Sequence, residues 1–413
     1  MRSNGFVLSF LWCLVASAQL QVSENGRYFE RGDGKPFIWM GDTAWELFHR
    51  LDRPEADHYL TRRAEQKFTV IQAVILAEND GLRQPNAYGH VPFEDLDPTR
   101  PVEAYFQHVD YIVGQANELG LVVALLPTWG DKLYSLHPGA GPEVFTAENA
   151  AVFGEFLGER YKEADVVWVL GGDRNVDNFE VLEIWRAMAS GLRKGDDGGH
   201  LITFHPRGAS HSYYYLHNED WLDFNMYQSG HARRYNPTYD FAKRDYLKHP
   251  VKPFVEGEPA YEDIPLAFWK YCDWDDPLRV PREVLDENLL IKKQTHFEEG
   301  YFTDRDVRVH AYWNMLSGAA GFTYGNNAVW QMFKKRGPVA IPCLYDWKES
   351  LERPGANQIR HLHQLVSETK LWEQRPDQSL VYGANPSGRE HIRAVMTPAG
   401  DRAVVYLSVG QEV

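Results

Sequence analysis

The sequence predicts a (β/α)8 TIM barrel followed by the start of a small C-terminal β-sandwich domain. Eight short apolar runs alternate with segments of helical spacing over roughly 330 residues, a length typical of such barrels. Polar side chains follow nearly every run, whereas a doubly wound open sheet would gather them at one switch point. After residue 372 the alternation gives way to short β-runs separated by turns.

The predicted strands are short, apolar and rich in β-branched residues, as expected for parallel strands that are buried on both faces. The first is the second arm of a hairpin at residues 27–40, which turns at residues 32–34 (GDG). The other seven are predicted at residues 68–76, 121–126, 166–170, 201–204, 221–226, 253–255 and 321–324.

The segments between the strands show helical periodicity. Residues 103–119 illustrate it, because Phe106, Val109 and Ile112 share one face and Gly120 follows as a stop. Helices are predicted at residues 57–66, 103–119, 148–161, 181–192, 238–247, 281–316 and 347–369.

Residues 1–18 have the pattern of a cleavable secretory signal. A basic second residue precedes an apolar run at residues 6–15, and residues 16–18 (ASA) form a small-residue cleavage site. A lipid anchor on Cys13 is disfavoured, since bulky Trp12 precedes it where small residues are usual. No other stretch is long and apolar enough for a membrane helix. The sequence therefore predicts a secreted or periplasmic protein.

The C-terminal part is predicted to be a separate β-domain. Short β-runs occur at residues 380–382, 391–396 and 403–407. The predicted division is a catalytic barrel at residues 19–371 and a β-domain at residues 372–413. The printed chain reaches its last residue before a sandwich would close, so this domain is predicted to be partial.

Charge and composition limit the function classes. A net charge of −15 argues against nucleic acid or an anionic membrane as partner. Three cysteines, one of them in the predicted signal, allow at most one disulfide. No zinc, nucleotide or dinucleotide motif is present, so neither a metal nor a cofactor is expected. Aromatic residues make up 14%, which is typical of secreted proteins that stack rings on sugars, although an aromatic core would have the same composition.

Two stretches of the same build carry the candidate catalytic residues. Residues 166–175 (VVWVLGGDRN) are a buried run followed by two glycines and Asp173. Residues 252–262 (KPFVEGEPAYE) place Glu256 and Glu258 around the end of the seventh strand. Because barrel strands share one mouth at their carboxyl ends, Asp173 is predicted to lie across from one of these glutamates.

Two carboxylates across a cleft are what glycoside hydrolysis requires, one as proton donor and one as nucleophile or base. Glu258 is favoured because Pro259 restricts the chain next to it, and Glu256 stays open as the alternative. The structural alternatives are a helix N-cap for Asp173 and a surface ion pair for either glutamate.

Other residues that follow the predicted strands are candidate substrate contacts. Five aromatic side chains fall on one rim, although each alone is more often a core residue. Tyr227 is predicted to hydrogen-bond the nucleophile. Arg174 is predicted to point away from Asp173 or to hold the nucleophile, since its charge would oppose protonation of Asp173. The predicted substrate contacts are Asp42, Trp45, Asn79, Trp129, Arg174, Asn175, His205, Tyr227, Glu256, Tyr261, Asn327 and Trp330.

Four motifs give the chain a resemblance to a known family. They are GDTAWELFHRL at residues 41–51, GGDRN at 171–175, EGEPAYE at 256–262 and YWNMLSGAAGFTYG at 312–325. Together they resemble the apiosidase-like glycoside hydrolases of family 140, from residue 27 to residue 370.

The resemblance implies a barrel with a small β-sandwich after it and a retaining mechanism, with Asp173 as the acid/base and Glu258 as the nucleophile. It also implies a substrate class, because the family includes enzymes that remove apiose from branched pectin (rhamnogalacturonan II), although subsite loops decide the substrate of each member. The chain departs from the pattern at Glu256, where relatives often carry Asp, and the choice between the glutamates stays open.

Two other hypotheses are compatible with the same residues. A non-catalytic carbohydrate-binding barrel would use the aromatics without turnover, and it is disfavoured because both carboxylates are present. A metal-dependent hydrolase would use Asp42, His205 and His231, but no ligand-spaced motif accompanies them. The predicted function is therefore a secreted retaining glycosidase that acts on side chains of a plant or microbial polysaccharide.

Overall fold

The structure is a computed structural model that describes residues 19–133 and 141–410. The predicted signal at residues 1–18, with Cys13, lies outside the described residues. Over the part that is described, eight parallel strands follow one another in barrel order, which confirms the predicted fold class. They are β1 (Trp39–Thr43), β2 (Val70–Val74), β3 (Val122–Leu126), β4 (Val166–Gly171), β5 (Ile202–His205), β6 (Asn225–Gln228), β7 (Phe254–Glu256) and β8 (Gly321–Tyr324).

The barrel is nearly closed. Parallel pairing runs from β5 back to β1, across to β8 and on to β6. Between β5 and β6 single bonds replace the ladder: the Asp223 amide donates to the Ile202 carbonyl (2.9 Å), and the Thr203 hydroxyl donates to the Phe224 carbonyl (2.7 Å). A short strand, Ser210–His211, pairs antiparallel with β6 as the ninth strand of this sheet. The carboxyl ends of the eight parallel strands therefore meet around one mouth.

Each barrel strand is buried along its whole length, which explains the near-continuous apolar runs. Side chains such as Val70, Val122 and Val255 share the cluster inside the barrel. Side chains such as Ile71 and Val123 belong to the cluster between strands and helices. Because successive residues of a strand face opposite sides, the position of a side chain in its strand decides which layer it enters.

The helices surround the barrel, and most start and stop near the predicted residues. No helix of the described residues is both long and apolar enough to cross a membrane. The α-helices of the described residues are α1 (Leu47–Arg50), α2 (Arg53–Glu65), α3 (Glu103–Glu118), α4 (Ala147–Tyr161), α5 (Phe179–Gly195), α6 (Tyr213–Leu216), α7 (Thr238–Tyr246), α8 (Asp304–Met315), α9 (Asn327–Trp330), α10 (Trp347–Ser350) and α11 (Pro354–Thr369). Short 3-10 turns lie at Glu94–Leu96, Gly130–Lys132, Phe268–Lys270, Arg282–Val284, Gln294–His296, Leu371–Glu373, Gln378–Leu380 and Gly388–Glu390.

The single helix predicted at residues 281–316 is wrong. Only its last part is helical, as α8, and residues 281–303 form a loop with two short 3-10 turns. Leu289 and Gly300 adopt positive φ angles of 63° and 78°, which an α-helix does not accommodate. The apolar side chains of this loop, Val284 and Phe297 among them, pack on one another instead of forming a helical stripe.

The helix predicted at residues 347–369 is divided into α10 and α11. Arg353 precedes Pro354 and has extended backbone angles (φ −62°, ψ 147°). The proline ring disfavours helical angles in the residue before it, so α10 ends and α11 begins at the proline. The proline was visible in the sequence, and its effect was not included in the prediction.

Two small antiparallel sheets lie outside the barrel. The first contains Leu20–Val22, Phe29–Arg31 and Pro36–Phe37, so the predicted hairpin forms. Its second arm is not the first barrel strand as predicted, because Pro36–Phe37 belongs to this small sheet and β1 begins at Trp39. The C-terminal sheet contains Arg375–Pro376, Ile392–Met396 and Ala403–Leu407. The strand predicted at residues 380–382 is not formed there, because the chain makes a 3-10 turn at Gln378–Leu380. A domain boundary at residue 372 stays a prediction.

Glycines bring helices α4 and α5 into direct backbone contact. A methyl group built on Gly154 would lie 2.5 Å from the carbonyl oxygen of Met188. One built on Gly191 would overlap the carbonyl oxygen of Ala151. Residues without a Cβ are therefore required on both sides of this contact.

Gly191→Ala is expected to lower the free energy of unfolding by about 1–3 kcal/mol, because the added methyl forces the two helices apart. Gly114→Ala is the matched control, since Gly114 lies in α3 with open space where a Cβ would be. Alanine at Gly114 should instead stabilise the helix by up to about 1 kcal/mol. Urea unfolding measures both variants, and equal stabilities would contradict the close packing of α4 and α5.

Candidate active site

Asp173 lies at the mouth, two residues after the last residue of β4, Gly171. The chain turns sharply between them. Gly171 and Gly172 have φ angles of 90° and 104°, and Asp173 itself has a φ of 51°. A Cβ on Gly171 would overlap the backbone of His205, and one on Gly172 would lie 2.8 Å from the Trp129 ring. The two glycines therefore allow the strand end to pass between its neighbours and deliver Asp173 to the mouth.

The Asp173 carboxyl has a raised pKa. Burial is the largest cause, and the negative charge of Glu258 is the second. Arg174 and His205 act in the opposite direction. About a third of the Asp173 side chain remains exposed (35%), so the carboxyl is open to a ligand. Its surroundings favour the protonated form beyond the ordinary range of an aspartate.

Of the two alternatives predicted for Arg174, the one in which its guanidinium points away from Asp173 is wrong, and the one in which it holds the nucleophile stays a prediction. Its Nη1 atom donates to the Asp173 carbonyl (2.8 Å) and lies 3.5 Å from Oδ2 of the same residue. The aliphatic part of the side chain packs over Gly130, where a Cβ would lie 2.7 Å from Arg174 Cγ. Packing against this loop directs the guanidinium back to Asp173. Its positive charge lowers the pKa of Asp173, but burial and the charge of Glu258 outweigh it, so the pKa stays raised.

Glu258 follows β7 and lies between two histidines. His231 Nε2 is 3.0 Å from Oε1, at hydrogen-bond distance. His205 Nε2 is 3.3 Å from Oε2 but off the line of a hydrogen bond, so this contact is electrostatic. Burial alone would raise the pKa of Glu258, but the two imidazoles outweigh it and lower the pKa to about 2. Glu258 is therefore ionised over the whole neutral range.

The two carboxyl groups have pKa values that are shifted in opposite directions by their surroundings. Asp173 is pushed toward the protonated form, and Glu258 is held as the carboxylate. Groups in one cleft with diverging pKa values can take the roles of proton donor and of nucleophile or base. The arrangement has the two functional groups that cleavage of a glycosidic bond needs.

His231→Ala is expected to move the acid limb of kcat/KM to higher pH. Removing this imidazole leaves His205 alone to offset the burial of Glu258, so the pKa of this carboxyl should rise from about 2. Activity that requires ionised Glu258 is then lost at a higher pH as the pH falls. The pH–rate profile is compared with that of His361→Ala, which removes an exposed histidine of α11. Identical acid limbs in the two variants would contradict the control of Glu258 by His231.

The predicted aromatic rim is largely buried. The rings of Trp45 and Trp129 lie 5.0 Å apart, and Trp45 also contacts His205 at 5.4 Å. Trp45 donates from Nε1 to the Tyr261 hydroxyl (3.2 Å), and Tyr261 packs on His231 at 4.5 Å. Trp330 joins the same cluster, and none of these four aromatic residues is more than 5% exposed. These rings support the two histidines beside Glu258 and leave little aromatic face for a sugar.

Tyr227 and Glu256 are not brought to Glu258. The Tyr227 hydroxyl lies 3.3 Å from Oε2 of Glu256 and 2.5 Å from Oδ1 of Asn314, a residue of α8. Val255 faces the barrel interior, so the next residue faces the helices. Burial raises the pKa of Glu256 to about 8 in this layer. Tyr227 therefore hydrogen-bonds Glu256, which faces the helices. With Glu258 as the nucleophile, the predicted hydrogen bond from Tyr227 to the nucleophile is wrong.

Asp42 also faces the helices. Its Oδ2 atom accepts from Arg63 Nε (2.7 Å) and from the Tyr59 hydroxyl (2.6 Å), both on α2. The structure does not bring Asp42 together with His205 and His231, the set expected for a metal-dependent hydrolase. Within the described ranges, no group of three or more His, Cys, Asp or Glu side chains is arranged to hold a metal ion.

The three predicted asparagines hold loops in place. Asn79 donates from Nδ2 to Oε1 of Glu46 (3.0 Å). Asn175 accepts the Arg207 amide at Oδ1 (3.2 Å). Asn327 is fully buried and donates to a backbone carbonyl of a neighbouring loop (2.9 Å). Their side chains are engaged with the protein, and Asn79 and Asn175 are only half-buried.

Glu78 also belongs to this region, although it is not among the site residues predicted from the sequence. It follows β2, and burial raises its pKa to about 8, with further contributions from Asp131 and Asp173. Asp131 itself forms a buried ion pair with Lys132 (2.5 Å). The signal was present in the sequence, because Glu78 follows a buried strand as Asp173 does. Asn79 was the only residue of this loop among the predicted substrate contacts, and Glu78 was not predicted.

The fold and the paired carboxylates define a glycoside hydrolase of the barrel type, and solved structures agree. A glycoside hydrolase family 5 structure from Bacteroides vulgatus is 31% identical, with a TM-score of 0.79 over 95% of this chain and 81% of that one. Another glycoside hydrolase is 32% identical, with a TM-score of 0.77 over 92% and 81%. A family 5 mannosidase from Rhizomucor miehei shares the fold at 13% identity, with a TM-score of 0.58 over 86% and 98%.

The family model of the apiosidase-like catalytic domain matches residues 23–373. The chain therefore belongs to the apiosidase-like family, as its motifs predicted, and it is a glycosidase. No curated protein shows a significant match to it.

Proposed function

We propose that this glycosidase removes apiose from side chains of a plant polysaccharide by a retaining, double-displacement mechanism. The observation that carries the proposal is the pair of oppositely shifted carboxyl groups, Asp173 after β4 and Glu258 after β7. The sugar is proposed from membership of the apiosidase-like family.

In the first step, the ionised Glu258 attacks the anomeric carbon of the bound sugar. The glycosidic C–O bond breaks, and Asp173 gives its proton to the departing oxygen. A covalent glycosyl ester on Glu258 results, and Asp173 is left as a carboxylate. In the second step, Asp173 takes a proton from water as that water attacks the anomeric carbon, which releases the sugar and restores both carboxyl groups.

The surrounding residues support these roles. The imidazoles of His205 and His231 hold Glu258 as the carboxylate that attack requires. Once Glu258 is esterified, its charge no longer raises the pKa of Asp173, and Arg174 remains beside Asp173. The pKa of Asp173 should then fall, which suits its change from acid to base between the two steps.

The proposed substrate is tested by a screen of released sugars. Purified enzyme is incubated with oligosaccharides from rhamnogalacturonan II, arabinan and galactan, and the products are separated by anion-exchange chromatography. The expected result is free apiose from the rhamnogalacturonan II sample alone. Release of a different sugar would contradict apiose as the substrate but not the proposed mechanism. No release from any of the three samples would contradict pectic side chains as the substrate class.

We also propose that the protein is exported after cleavage behind residue 18. The support is the sequence pattern of residues 1–18. The mature chain should begin at Gln19. Mass spectrometry of protein collected outside the cytoplasm checks this, and retention of Met1 or Arg2 would contradict it.

A further inference from the structure

The loop between β7 and α8 carries two exposed tryptophans. Trp269 and Trp274 are 45% and 51% exposed. The tryptophans predicted for the site, Trp45, Trp129 and Trp330, are at most 5% exposed. Aromatic face for a ligand is therefore available on this loop, which emerges on the mouth side of the barrel because it follows the carboxyl end of β7.

The two tryptophans are connected to Glu258 by a continuous series of rings. His231, which contacts Glu258, lies 6.1 Å from the half-buried ring of Phe268. Phe268 in turn lies 5.3 Å from Trp269 and 6.1 Å from Trp274. Exposure increases along this series from the buried histidine to the tryptophans. The series forms a wall that leads from the catalytic carboxylate to the solvent.

The backbone holds this wall in one position. The Ala267 amide donates to the carbonyl of His231 (2.9 Å), which joins the loop directly to the histidine beside Glu258. The Asp273 amide donates to the carbonyl of Arg279 (2.9 Å), which closes the turn that carries Trp274. The Arg279 guanidinium lies 5.2 Å from the centre of the Trp274 ring and donates to the Trp274 carbonyl. A ring held in advance loses little freedom when a ligand stacks on it.

We propose that Trp269 and Trp274 form a platform for a second sugar unit, beyond the one that is cleaved. A flat apolar ring covers the C–H face of a sugar and excludes water from it, while the hydroxyls of the sugar stay at the rim. The occupant is a carbohydrate because the platform is continuous with the mouth of a glycosidase. The inference rests on the proposed function of that mouth. It means that the enzyme recognises its sugar as part of a longer chain.

The test compares a long and a short substrate. The probes are an apiose-containing oligosaccharide from rhamnogalacturonan II and methyl β-apioside. Trp269→Ala and Trp274→Ala should each raise KM for the oligosaccharide about tenfold, as expected for the loss of one stacked ring. Both variants should leave kcat for the oligosaccharide, and all constants for the methyl glycoside, within about twofold of the wild type. Trp269→Phe and Trp274→Phe should restore most of the affinity, because a flat ring is retained.

Tyr382→Ala is the matched control, since Tyr382 is a 98% exposed aromatic residue outside the barrel. It should change neither substrate's constants. Unchanged KM for the oligosaccharide in both tryptophan variants would overturn the platform. An equal loss on both substrates would also overturn it, because it would indicate damage to the catalytic centre.

A binding measurement separates failure of the platform from failure of the proposed function. Glu258→Gln, alone and combined with Trp274→Ala, is titrated calorimetrically with pectic oligosaccharides. Tighter binding by the single variant Glu258→Gln than by the double variant supports the platform. This holds even if the wild type releases no apiose, a result that would contradict only the proposed function. Equal binding by both proteins overturns the platform whatever the wild type hydrolyses.

Discussion

Glu258→Gln is expected to lower kcat on the order of 10⁴–10⁶-fold, the usual effect of removing a nucleophile from a covalent mechanism. An amide cannot attack the anomeric carbon, whereas the carboxylate is held ionised by His231 and His205. The side chain keeps nearly the same shape, so the fold should be retained. Steady-state kinetics on the released sugar measures the effect, and circular dichroism checks the fold.

Glu256→Gln is the matched control for this prediction. Glu256 lies two residues earlier, but it hydrogen-bonds Tyr227 and Ser229 in the layer that faces the helices. Burial raises its pKa to about 8, so it is largely neutral at pH 7 and an amide replaces it closely. This variant should retain most of its activity. Near-normal activity of Glu258→Gln, with loss in Glu256→Gln, would transfer the nucleophile role to Glu256.

Asp173→Asn is expected to lower kcat by about 10²–10⁴-fold on a natural glycoside, because proton transfer to the leaving oxygen is lost. The raised pKa of Asp173 sets the alkaline limb of the wild-type profile. Activity is present while Asp173 is protonated, and it falls as the pH rises through that pKa. The alkaline limb should therefore disappear in the variant, which a pH series of kcat/KM measures.

A substrate with a good leaving group is the control for Asp173→Asn. The nitrophenolate group of a nitrophenyl glycoside leaves as an anion and needs no proton. Formation of the glycosyl-enzyme should therefore be slowed much less than with the natural substrate. A burst of nitrophenol followed by slow turnover is expected, since the second step still lacks its base. An equal loss on both substrates, or a retained alkaline limb, would remove Asp173 from proton transfer.

The fold was predictable because the strands have a simple physical signature. Each barrel strand is buried on both faces, so runs such as residues 121–126 and 166–170 contain almost no polar residue. The position of Asp173 was predictable for the same reason, since Gly171 and Gly172 end an apolar strand and leave a charged residue at the mouth. Local sequence determines which residues come directly after a strand, and the closed barrel brings the ends of different strands together.

The side-chain directions were less predictable. Glu256 is the last residue of β7, and Glu258 lies two residues beyond it. Continued strand alternation would place both side chains on the same face, so their separation comes from the bend of the chain at Gly257 and Glu258. Arg174 turns back to Asp173 because of the loop at Gly130, which is remote in sequence. The role of His231 beside Glu258 likewise depends on contacts between loops, and no local pattern encodes it.

The aromatic residues illustrate the same limit. Trp45 and Trp129 were predicted from their positions after strands, and the structure buries both beside His205. The exposed pair, Trp269 and Trp274, lies in the loop before α8, close to the segment that was predicted to be helical. Composition indicates that aromatic residues are abundant, but only tertiary contacts decide which ring faces solvent.

The stereochemistry of the first product tests the central claim most directly. Proton NMR follows the anomeric signal of the released sugar from the earliest time points, before mutarotation mixes the anomers. Attack by Glu258 followed by water predicts a first product with the same anomeric configuration as the substrate. A first product of inverted configuration would contradict the covalent intermediate on Glu258 and would make that carboxylate a base that activates water.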